Sequence, residues 1–99
     1  MDLRAEVAKA VEQYNRYHSP EAVARILRVS DGEFELEFSG PFCQSCGIHD
    51  YFEDMIYELE SVSGIKVNVE NAMKAEGGSY RVKYSVGSSY LGNRGGTKM

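Results

Sequence analysis

Tryptophan is absent from this 99-residue chain, proline and histidine occur twice each, and cysteine occurs only as Cys43 and Cys46. Two cysteines three positions apart do not make the disulfide framework of a small secreted module, which closes several longer loops. No apolar run approaches the roughly 18 residues of a membrane span. The start, Met1-Asp2-Leu3-Arg4-Ala5-Glu6, has no basic region followed by an apolar stretch. These absences point to a cytoplasmic protein without a membrane partner. A basic excess is missing too: 15 Asp and Glu outnumber 11 Lys and Arg, the net charge is -4 and the pI about 5.1. Nucleic acid is therefore not an expected partner, because a phosphate binder carries a positive footprint. Without a P-loop, a dinucleotide fingerprint, a nucleophile elbow or a Ser-His-Asp order, nothing supports hydrolase or nucleotide-dependent chemistry.

What is present reads as one soluble domain, residues 1–86, followed by a Gly- and Ser-rich tail, 87–99, expected to be mobile. With 42% hydrophobic and 26% charged residues the chain has enough apolar surface for a single modest core. From Asp2 to about His18, Leu3, Val7, Val11 and Tyr14 recur at helical spacing, with Asp2 placed to cap the start and Ser19-Pro20 to end it. Two apolar stretches, Val23 to Val29 and Phe34 to Phe38, flank Ser30-Asp31-Gly32-Glu33. Asp-Gly is a strong hairpin signal, since both central residues of the favoured turn take positive φ. Counted outward from it, Val29 faces Phe34, Leu27 faces Leu36, Arg25 faces Phe38 and Arg28 faces Glu35.

A second amphipathic helix runs from about Gly47 to Ser61 on Ile48, Phe52, Met55, Ile56, Leu59 and Val62, and Gly64 suits its end. Ile65 to Glu70 and Tyr80 to Val86 alternate as half-buried strands. The expected fold class is α+β: an α-β-β-α-β-β two-layer sandwich, two helices on one face of a mixed four-stranded sheet. The crossover through the second helix sets the second and third strands parallel. The fourth strand has two possible places, one at each edge.

Two further features read as structural. The second helix carries Asp50, Glu53, Asp54, Glu58 and Glu60, spread over several turns as a solvated face, with no calcium-loop pattern, although such a face also suits a basic partner. Tyr80, Tyr84 and Tyr90 stand near Arg81 and Lys83, but alternation puts tyrosines and bases on opposite strand faces. That favours buried tyrosines, with Arg81 and Lys83 pairing Glu33, Glu35 and Glu37.

The sharp signal is Cys43-Gln44-Ser45-Cys46, between the second strand and the second helix. A helix N-terminus stabilises thiolates through its free N–H groups and dipole. Several chemistries stay open: a shared metal or cluster, a thiol–disulfide cycle, or cysteines that are incidental or disulfide-bonded in a structural or interaction module with no cofactor. Zinc is one form of the first, with His49 completing a C-x2-C-x2-H run and Asp50 or His18 as a further donor. Against an oxidoreductase of thioredoxin type, the only prolines, Pro20 and Pro41, precede the cysteines, whereas that fold places a cis-proline after them.

From Val23 to Glu70 the chain resembles the NifU C-terminal (NifU-like) iron–sulfur domain, and is similar to the PaaD-like iron–sulfur assembly domains. The likeness rests on the Asp31-Gly32 hairpin, the strand closing on Gly40-Pro41, the C-x-x-C opening a helix, and the closing Gly64-Ile65-Lys66-Val67. The resemblance implies a carrier and not an enzyme, with Cys43 and Cys46 as ligands. Two chains would share one cluster as a homodimer, with iron–sulfur acceptor proteins as partners. Gly40, Pro41 and Gly47 would shape the loop, Ser45 and Gly47 would offer N–H groups near the sulfurs, and Phe42 would shield one side.

Overall fold

The computed structural model describes residues 2–41 and 48–87. Helix α1 (Leu3–His18) starts where the Asp2 side chain accepts the Arg4 N–H, satisfying one of the donors that a first helical turn leaves over. It ends as Ser19 turns extended, its N–H donating to the Asn15 carbonyl. Val7, Ala10 and Tyr14 are buried, and Leu3 and Val11 pack against the core edge.

Strands β1 (Val23–Ser30) and β2 (Glu33–Ser39) form the expected hairpin. Only Gly32 of the two turn residues has positive φ, +77°, so the turn is not one needing a left-handed Asp31. Near the turn the register is as counted, Val29 opposite Phe34 and Arg28 opposite Glu35. Beyond it the pairing slips at Leu27: Ile26 faces Leu36, Arg25 faces Glu37 and Ala24 faces Phe38. Leu27 is the additional residue of a bulge and is exposed, and the face it was expected to fill is taken by Ile26 and Ala24.

Helix α2 (Ile48–Ser63) buries Phe52, Met55 and Leu59. It runs one residue pair past the expected end, because Ser63 Oγ donates to the Leu59 carbonyl and accepts the Ile65 N–H. Gly64, at φ +77°, then donates to the Glu60 carbonyl. Strand β3 (Val67–Lys74) follows, then a 3-10 turn at Glu76–Gly78 and strand β4 (Tyr80–Val86). Here too the pairing slips by one, at Glu70, and this hides the second half of β3 from an alternation count.

The sheet order is β1-β2-β4-β3 and every neighbouring pair is antiparallel, which corrects the mixed sheet and the edge placement of the fourth strand. β2 and β3 do run in the same direction, but β4 lies between them. Composition explains the arrangement. β4 brings Val82 and Tyr84, both fully buried, whereas β3 carries Asn68, Glu70, Asn71 and Lys74 and suits an edge. On the inner face Phe34 stacks on Tyr84 at 5.0 Å and Leu36 faces Val82. Both helices pack against that face around one core.

The outer face is polar. Arg25 reaches Glu37 at 2.7 Å, Arg28 lies 3.5 Å from Glu33 and 3.7 Å from Glu35, and Lys83 lies 3.2 Å from Glu33. The expected pairing of Lys83 is therefore present; Arg81 stands opposite Glu37 in register but makes no ion pair among the described residues. Tyr84 is buried and Tyr80 half-buried, as alternation required, while Tyr90 and the rest of the tail beyond Gly87 lie outside the described residues. No described helix is long and apolar enough to cross a membrane.

Candidate functional site

Residues 42–47, which include Cys43, Cys46 and Gly47 together with Phe42 and Ser45, lie outside the described residues. What the structure defines is the frame on either side of them. β2 ends at Ser39 and is followed by Gly40, whose φ is +122° and whose backbone passes close to the segment entering β1. A Cβ built there would stand 2.4 Å from the Glu21 carbonyl oxygen and 3.2 Å from that of Pro20. Only glycine fits, so the strand end is locked against residues 20–21. Pro41 follows, exposed.

On the far side, the first turns of α2 are held from two directions. Tyr14 of α1 donates its hydroxyl to the Tyr51 carbonyl at 3.0 Å, and Tyr84 of β4 donates to the Phe52 carbonyl at 2.7 Å. Burial is the main cause holding the phenols of Tyr14 and Tyr84 well above the ordinary tyrosine range, and for Tyr14 the Asp54 carboxylate adds to it. Tyr51, itself half-covered, is also raised. Its loss of solvent is the first cause, and the Glu21 carboxylate, to which its hydroxyl donates a hydrogen bond, the next.

His18 completes this end of the molecule. Its ring stacks on Tyr14 at 4.0 Å with an 8° interplanar angle, and Tyr51 meets it edge-on. Nδ1 lies 3.0 Å from the Tyr14 carbonyl, which can only accept, so that nitrogen carries hydrogen. Nε2 lies 3.1 Å from Asp54 Oδ2. The Nδ1 contact stays within α1, and the Nε2 contact with Asp54 ties the end of α1 to α2. His49, in the first turn of α2, is exposed and stands edge-on to Phe52 at 5.8 Å. Asp50 is exposed beside it. Among the described residues no group of three or more His, Cys, Asp or Glu gathers as a metal site, so His18, His49 and Asp50 are not brought together.

Sequence reasoning named Gly40, Pro41 and Gly47 as shaping the cysteine loop and His49 as a metal donor, and missed the His18–Asp54 contact and the two tyrosine bonds. The i, i+4 spacing of Tyr14 and His18 was the available signal for the stacked pair. The bonds to helix carbonyls had none, since their acceptors are backbone atoms of another element. No protein-family model, no curated protein and no solved structure matches this chain.

Proposed function

We propose that this protein is a carrier of an iron–sulfur cluster or a metal ion, taken as cargo on the thiolates of Cys43 and Cys46. The observation that supports this reading most is the frame: both cysteines fall within the six residues, 42–47, that join a strand end locked at Gly40 to a helix held by Tyr14 and Tyr84. Short connections between rigid elements are where proteins keep ligand-binding groups. The start of the helix that follows is the positive end of its dipole, which favours thiolate over thiol.

Two thiolates fill half of a four-thiolate site, so a cluster would be shared by two copies, each giving Cys43 and Cys46. A reducing cytoplasm would keep the pair free between loads, and acceptor proteins would take the cargo by ligand exchange. His49 is the nearest further donor in sequence and would serve a zinc ion in place of a cluster. The carrier reading asks no bond-making chemistry of the chain.

Anaerobic reconstitution with iron and sulfide, on the wild type and on the C43S/C46S double variant, tests it. The expected result is a coloured wild type holding about one four-iron cluster per two chains, and a colourless, folded variant. A wild type that takes up neither iron nor zinc, or a double variant that keeps stoichiometric metal, refutes the carrier reading.

A further inference from the structure

The end of the sheet farthest from the cysteine loop carries a second feature. There Val86 donates its N–H to the Gly32 carbonyl at 2.8 Å, and Gly87 donates to the Lys66 carbonyl at 3.2 Å, so the end of β4, the β1–β2 turn and the entry to β3 form one row. Leu3 of α1 stands over them. Leu3, Gly32, Ile65 and Val86 line a shallow, mostly apolar hollow, and Val86 is 43% exposed within it. A second, more polar hollow shares Leu3 and Gly32 with it and adds two acids, Asp2 and Asp31, and one base, Arg4. Neither aspartate makes an ion pair among the described residues.

We propose that this hollow is the docking site of the chain's own C-terminal segment, with Tyr90 and Leu91 as its occupants. Three observations favour this occupant. The described chain stops at Gly87, directly after a residue that lines the hollow, and the three steps to Tyr90 span at most about 10 Å. Tyr90-Leu91 is the only adjacent apolar pair in residues 88–99. The charge also matches: those residues hold Arg94 and Lys98 and no acid, while the rest of the chain holds nine basic residues and all fifteen acids. With Tyr90-Leu91 over Val86 and Ile65, Arg94 comes within reach of Asp2 and Asp31. The inference is independent of the cysteine reading, because the hollow lies at the opposite end of every strand.

The chain has no tryptophan, so Tyr90→Trp installs a single fluorophore in the full-length protein. Docking predicts a blue-shifted emission, several-fold weaker acrylamide quenching than in urea, and no dependence on protein concentration. Adding Val86→Lys, or Leu91→Ser where the first variant loses its circular dichroism spectrum, returns the emission to the solvent-exposed position. An emission already matching the urea-denatured chain overturns the proposal. So does protection that grows with concentration, which assigns the hollow to a second copy, or protection that both added substitutions leave intact.

Discussion

Tyr14 and Tyr84 come from different elements, yet both donate to neighbouring carbonyls, those of Tyr51 and Phe52, near the start of α2. Each ring is buried and each hydroxyl satisfied, which is why aromatic side chains with a polar tip serve at such joints. The consequence for pH follows from their raised values. A phenol in the unfolded chain titrates near 10.0, and folding raises both above it. The folded state therefore holds these protons more tightly, the stabilisation is complete below pH 10, and it is lost as the pH climbs beyond. An alkaline titration followed by phenolate absorbance and circular dichroism should show a last ionisation step that coincides with unfolding; complete ionisation of all tyrosines with the ellipticity intact would contradict the assignment. The apolar periodicity of α1 made Tyr14 legible as a core residue. It did not reveal the hydroxyl bond, because no local pattern in the sequence encodes a partner 37 positions away.

Glycines at two strand ends separate the requirements of a turn from those of a close approach. Gly32 needs its positive φ but has open space where a Cβ would go, whereas Gly40 needs positive φ and also meets the Glu21 backbone. Gly32→Ala should cost about 1 kcal/mol from backbone strain alone. Gly40→Ala should cost about 3 kcal/mol, because the carbonyl cannot move without shifting the entry to β1. Urea unfolding midpoints at unchanged slope would measure both, and equal losses would mean that the 20–21 segment gives way freely. The helices and the hairpin turn were legible from apolar spacing and Asp31-Gly32, since those signals are local. Leu27 and Glu70 were not, because an additional residue in a strand leaves composition unchanged and shows itself only through the partner strand.

For the whole molecule, the α+β class and the order of elements were readable in the alternation of helical and strand periods, while the arrangement of the sheet was not. The insertion of β4 between β2 and β3 is decided by which strand is apolar enough for a central position and which acids and bases then meet, a comparison that a strand-by-strand reading does not make. The spacing of Cys43 and Cys46 singled out the loop, and the frame on either side of residues 42–47 emerged only from contacts of residues 20–21, α1 and β4. The two slips in register have a consequence for how copies of this chain meet. Both free rims of the sheet, β1 and β3, are interrupted near their middle, leaving straight stretches of four residues at most, Val23 to Ile26 and Asn71 to Lys74. Strand-by-strand stacking between molecules uses uninterrupted segments of about six or seven. Neither rim offers one, so metal-free protein should scatter light as a single chain at high concentration, and a copy-to-copy union has to be made by something other than backbone ladders.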